Sequence, residues 1–122
     1  MILGIGTDIV EIERIKAIIE KHGDTFLQRI FLESEREYGN QFAHPEAIFA
    51  GRFAAKEAVS KALGTGFSEN LSMSDIEICN DLKGKPVVIL SDKAKEHFND
   101  PQLLISISHE KQYATATAIW QE

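Results

Sequence analysis

Between Gly51 and Gly66 the chain reads GRFAAKEAVSKALGTG, a run that carries charges of both signs and then breaks on glycines. Read as a helix, it puts Glu57 and Lys61 four residues apart on one face. Arg52, Lys56 and Ser60 form an adjoining row, and Ile48, Ala55, Val59 and Ala62 make a stripe that can pack inward. Gly64 stands where a left-handed C-terminal cap belongs, and Thr65 and Gly66 continue as a loop expected to be rich in free amides. A carboxylate, several cations and loop amides within one short segment suit a metal-phosphate ligand, since the metal needs anionic oxygen and the phosphates need donors. The plainer alternative is that Glu57 and Lys61 form an ordinary ion pair on a helix surface.

A second candidate lies in MILGIGTDIV, residues 1–10, an apolar β-rich run whose glycines let other backbone approach closely. Asp8 near its end is costly to bury unless it is paired, hydrogen-bonded or bound to a metal. Asp8, or Thr7 before it, can equally serve as the cap of the next helix. A third is His109, which ends the apolar ISIS run as either a structural rim residue or a site residue.

The elements that must position these residues follow from periodicity. Residues 11–22 carry Ile12, Ile15, Ile18 and Ile19 at helical spacing and close on Gly23. Arg14 and Lys21 project from a similar side of that helix, as a docking face for an acidic partner or as a solvated face. Asp24 reads as the N-cap of a short helix bearing Phe26, Leu27, Ile30 and Phe31, and Ser34 with Glu37 as a capping box for another. His44-Pro45 marks a break, with Pro45 in the first turn of the helix that runs through Glu57. Beyond Gly66, residues 75–80 and 86–90 read as a hairpin about a turn at 82–85, and Ser91 as the cap of a short helix over 92–98. Residues 103–108 and 113–120 give two further strands. Strands on both sides of a helical block predict an α+β fold with a mainly antiparallel sheet.

With 122 residues, 43% of them hydrophobic, the chain can build one core but not two comfortable domains, so one domain spanning 1–122 is expected. A net charge of −6 argues against a general nucleic-acid binder. The lone Cys79 excludes an intrachain disulfide, fits a reducing, cytoplasmic setting and reads as an inert packing residue. No apolar run approaches the roughly 20 residues of a membrane span, and the first residues lack the pattern of a signal peptide.

Taken together, GIGTDIVEIERI at the start, FAGRFAAKEAVSKALGTG in the middle and ISISHEKQYATATA near the end stand in the order and at the separations of the holo-acyl-carrier-protein synthase family, which the chain resembles over essentially its whole length. The resemblance implies a 4'-phosphopantetheinyl transferase that moves the phosphopantetheine arm of coenzyme A to a serine of apo-acyl carrier protein. It further implies that Asp8 and Glu57 hold Mg2+ and that Lys61 binds phosphate. Arg52, Gly64, Thr65, Gly66, Pro86 and His109 are then coenzyme A contacts, and Arg14 contacts the carrier protein; Lys21, seven residues on, extends the same cationic face toward that acidic partner. It implies a homotrimer with sites between subunits, so that His109 meets Asp8 and Glu57 of another chain. The tail strand has apolar residues on both alternations, which independently predicts that both its faces are covered. Two other classes fit the same residues: an Mg2+-dependent pyrophosphohydrolase using Asp8, Glu57 and Lys61, and a non-catalytic oligomerising module in which Glu57 and Lys61 are only a surface pair.

Overall fold

The structure, a computed structural model, describes residues 1–122. In chain order the elements are β1 (Ile2–Glu11), α1 (Ile12–His22), α2 (Asp24–Ile30), α3 (Glu33–Gly39), α4 (Pro45–Ala62), a single 3₁₀ turn (Met73–Asp75), β2 (Ile76–Asn80), β3 (Pro86–Leu90), α5 (Asp92–His97), β4 (Gln102–His109) and β5 (Tyr113–Gln121). The fold is α+β, as expected, and every strand pairing is antiparallel. The strands form two sheets: β1-β5-β4, which joins the first strand to the last hairpin, and the separate hairpin β2-β3.

Helix α4 is the axis of the molecule. Its inward stripe is wider than the sequence period implies, because Phe49, Ala50, Ala54, Ala55, Ala58, Val59 and Ala62 are all buried. One side lies on the sheet and the other on α1, α3 and β2. The close approach to the sheet is set by glycine. A Cβ on Gly6 would fall 2.1 Å from the Ala58 carbonyl oxygen, and one on Gly4 would fall 2.0 Å from that of Ala62. Small residues opposite, Ala114, Ala116 and Ala118 on β5, complete the contact. The helix begins on Pro45 and ends at Ala62, after which Gly64 takes the left-handed backbone conformation (φ 84°) expected of it.

Lys56 and Glu35 depart from the sequence reading. Helical spacing puts Lys56 in a row with Arg52 and Ser60, yet it is fully buried. Its ammonium donates to Glu35 Oε1 (2.7 Å), the Ile30 carbonyl (2.8 Å) and the Met73 carbonyl (3.0 Å). Glu35 in turn accepts from the N–H groups of Leu32 (2.8 Å) and Ile78 (2.9 Å). Burial pulls the Lys56 pKa below a lysine's ordinary value, and the Glu35 carboxylate opposes that pull. The pair ties α2, α3, α4, the 3₁₀ turn and β2 together at one point. It also moves the capping box of α3: the glutamate that reaches back to the N-cap is Glu35, bonded to Leu32, and not Glu37 bonded to Ser34. Ser34 donates to Glu77 instead. Asp24 is likewise the first residue of α2, behind an N-cap at Gly23, and caps nothing. Ser91 does cap α5, accepting from the Ala94 N–H at 3.2 Å.

The outer face of the β1-β5-β4 sheet has no element against it. Ile5 is 64% exposed and Ile9 63%, with Leu3, Leu104 and Tyr113 on the same side also open. The tail strand is therefore covered on one face within the chain.

Candidate functional site

Asp8 sits inside β1, which continues to Glu11, so neither it nor Thr7 caps α1; the N-cap is Glu11. Alternation along the strand points Asp8 to the α4 side together with Gly4, Gly6 and Val10. Because Gly6 lets α4 lie against β1, the next inward position meets the last turns of that helix. Lys61 there donates to Asp8 Oδ1 (3.1 Å) and to the Thr7 carbonyl (2.9 Å). The surface pair between Glu57 and Lys61 does not form, since the Lys61 ammonium has been drawn across to the strand.

Asp8 and Glu57 line one cavity of about 380 Å³. Glu11 and Arg14 line it as well, and Ile9, Val10, Ile15, Ile18, Phe26 and Phe53 supply apolar walls. Burial raises the pKa of Glu57 above the ordinary carboxylate value, the Asp8 charge raises it further, and Lys61 opposes both. Two carboxylates that repel one another in a half-buried site are a donor set for a hard cation. No cluster of three or more acidic, histidine or cysteine side chains exists. Two anionic oxygens with open positions left for water and phosphate is a set that suits Mg2+ rather than a closed structural site.

A second, separate cavity of about 210 Å³ gathers Arg52, Pro86 and His109 beside Tyr38, Asn80 and Gly84. It shares no lining residue with the first. Arg52 is 7% exposed; one terminal nitrogen donates to Asn80 Oδ1, and the Tyr38 ring lies 4.8 Å from its guanidinium carbon. Its Nε has no partner. Burial pulls the Arg52 pKa below an arginine's ordinary value, an effect that Tyr38 and Glu35 partly offset. Gly64, Thr65 and Gly66 line neither cavity. The N–H groups of Gly64 and Gly66 bond the Lys61 and Ser60 carbonyls, which leaves Thr65 as the amide without a backbone acceptor. Lys21 is exposed on α1 and lies outside the Asp8 cavity, whereas Arg14 belongs to it.

Residues 4–118 match the profile of the 4'-phosphopantetheinyl transferase superfamily. The chain belongs to that superfamily. A holo-[acyl-carrier-protein] synthase from Protochlamydia amoebophila is 56% identical over 120 residues, 98% of each chain. Among solved structures, the holo-[acyl-carrier-protein] synthase of Neisseria meningitidis superposes with a TM-score of 0.93 at 34% identity, covering all of both chains. That of Helicobacter pylori, solved in complex with coenzyme A, superposes with a TM-score of 0.88 at 37% identity, over 96% of this chain and 99% of its own.

Within this transferase, the residues that sequence reasoning missed are Phe26 and Phe53 in the first cavity and Tyr38 and Asn80 in the second. The sequence reads Phe26 only as part of a short helix, and helical periodicity cannot tell a residue that packs inward from one that lines a cleft. Tyr38 and Asn80 carry no local signal, because their partner Arg52 lies on a different element from each.

Proposed function

We propose that this chain transfers the 4'-phosphopantetheine group of coenzyme A to a serine of apo-acyl carrier protein, releasing adenosine 3',5'-bisphosphate, as a step that supports fatty acid biosynthesis. The observation that carries the proposal is the meeting of Asp8 and Glu57, from two elements far apart in sequence, in one cavity that Arg14 also lines, with Lys61 bonded to Asp8. Family membership and the coenzyme A complex of the Helicobacter relative support it.

In this reading Asp8 and Glu57 hold Mg2+, which when bound neutralises phosphate charge and orients the diphosphate. The serine proton goes to Glu57 or to a water beside it, and Lys61 supplies positive charge to the oxygen on which negative charge grows as the phosphate bond breaks. Arg52, Pro86 and His109 take another part of coenzyme A, with Gly64, Thr65 and Gly66 as the loop beyond Lys61. The exposed Arg14, with Lys21 further along α1, meets the acidic carrier protein.

Two features support the homotrimer with shared sites. The outer sheet face leaves Ile5, Ile9 and Leu104 open, the kind of apolar surface that a second copy covers. The Asp8 and Arg52 cavities are separate within one chain, so a ligand that needs both groups is served by adjacent copies. No helix is long and apolar enough to cross a membrane; a cytoplasmic enzyme formed by one domain over residues 1–122 is the reading proposed.

The test is to incubate the protein with apo-acyl carrier protein, coenzyme A and Mg2+ and weigh the carrier protein. Addition of one phosphopantetheine arm, abolished by EDTA and restored by Mg2+, is expected. An unchanged carrier-protein mass would overturn the proposal, and phosphate release without carrier protein would point to a pyrophosphohydrolase. A monomeric mass in solution with activity intact would remove the shared site.

A further inference from the structure

The guanidinium of Arg52 is held in an unusual electrical state. It is 7% exposed, yet no carboxylate lies within ion-pair distance; the four ion pairs of the chain all involve other residues. A buried cation normally has an anionic partner, because its desolvation is otherwise uncompensated. Here the direct partners are a neutral amide oxygen and an aromatic face, and the Glu35 carboxylate, itself paired with Lys56, acts on the guanidinium only from beyond ion-pair distance. Both direct partners hold the group in place without cancelling its charge.

Asn80 uses both ends of its amide. The oxygen accepts from Arg52, and Nδ2 donates to the Gly84 carbonyl at 2.8 Å. Gly84 sits in the turn between β2 and β3 with φ 87°, two residues before Pro86. Asp81 stiffens the same turn, accepting from the N–H groups of Lys83 and Lys85 at 2.9 Å each. Asn80 therefore fixes the guanidinium and the Pro86 side of the cavity relative to each other. On the opposite side Tyr38 belongs to α3, whose position is set by the Glu35–Lys56 pair.

We propose that Asn80 and Tyr38 are positioning residues for coenzyme A, a neutral clamp that orients Arg52 while keeping its full charge for an anionic group of the ligand. The inference rests on the placement of coenzyme A against Arg52 put forward above. Its discriminating feature is charge. Asn80→Asp keeps the acceptor at the same position, but the carboxylate neutralises the guanidinium and loses the donor to Gly84, so a tighter grip on Arg52 weakens the ligand. In Tyr38→Phe the aromatic face remains, whereas in Tyr38→Leu it is gone.

The experiment is calorimetric titration of each variant with coenzyme A, alongside steady-state kinetics with apo-acyl carrier protein. Asn80→Asp is expected to raise Kd and KM for coenzyme A by about tenfold or more, with KM for carrier protein and kcat at saturating coenzyme A within about twofold of the parent. Tyr38→Phe is expected to bind as the parent does and Tyr38→Leu about threefold or more weakly. Should Asn80→Asp fail to fold by circular dichroism, the two Tyr38 variants carry the test. Parent-like binding by folded Asn80→Asp, or equal losses in kcat and both KM values, would overturn the clamp; if Arg52→Ala then loses binding, the placement of coenzyme A stands without it. A parent protein that takes up no coenzyme A would overturn the placement and the clamp together.

Discussion

Glu35→Ala is the substitution with the largest expected cost away from the site. It removes the carboxylate that receives the buried Lys56 ammonium at 2.7 Å and the N–H groups of Leu32 and Ile78 at 2.8 and 2.9 Å. Breaking a buried ion pair from one side costs about 3–5 kcal/mol, because the other charge stays behind without a partner. The Ile78 N–H, within a residue only 3% exposed, adds about 1–3 kcal/mol as an unsatisfied donor. A loss of about 5 kcal/mol reaches the lower end of the total stability of a natural domain. At about 2.1 cal/mol/K per residue, a chain of 122 residues has an unfolding entropy of about 0.26 kcal/mol/K, so 5 kcal/mol lowers the melting midpoint by about 20 °C. Differential scanning calorimetry measures this directly. Glu35→Gln adds a test of sign. It leaves Lys56 buried without its counter-charge, with a folded pKa below the unfolded value of about 10.4. The folded state then binds fewer protons, and stability must rise with pH up to that value. A midpoint within about 4 °C of the parent for Glu35→Ala, or a Glu35→Gln variant that loses stability as pH rises from 7 to 9, would refute the reasoning.

Arg14→Ala is expected to raise KM for carrier protein, leave that for coenzyme A nearly unchanged and lose part of its effect at high salt, while Lys61→Ala depresses kcat at saturation; identical kinetic patterns would remove α1 as the docking face. Asp8→Ala and Glu57→Ala should each lose transfer while keeping a cooperative melt, and full activity in either would remove that residue from the site. Gly6→Ala places a methyl 2.1 Å from the Ala58 carbonyl oxygen and must push β1 off α4, so a loss of about 3 kcal/mol or more is expected by chemical denaturation. Asp75 is a matter of acid stability. Burial alone would raise its pKa, but hydrogen bonds from Ser91 and Ser72 and the Lys93 ammonium hold it below the ordinary value. A depressed folded pKa stabilises above the unfolded value of about 3.9, and that stabilisation is lost as pH falls through the folded one. Asp75→Asn should accordingly flatten the decline in melting midpoint below about pH 4, and an unchanged acid limb would contradict the hydrogen bonds as its source.

The local signals in the sequence came through where one residue decides its own conformation. Pro45 starts α4, Gly64 takes a positive φ after it, Ser91 caps α5, and β1 carries glycines under a helix backbone. Asp8, Glu57 and Arg14 were marked by type and by motif, and they do share a cavity. What spacing along the chain could not reveal was which partner each charge would choose. Lys61 stands four residues from Glu57 in sequence and 53 from Asp8, yet it bonds Asp8 because β1 passes beneath the end of α4. Lys56 looked as available as Arg52 by helical periodicity and is instead consumed inside the core by Glu35, while Arg52 turns to Asn80 and Tyr38. Helix period fixes direction only relative to the helix axis, and the identity of the neighbouring surface is a property of the packed whole. For the same reason the tail strand's apolar outer alternation was legible as a face to be covered, but only the tertiary structure decided that nothing in the chain covers it: α4 is a single layer and occupies the other side.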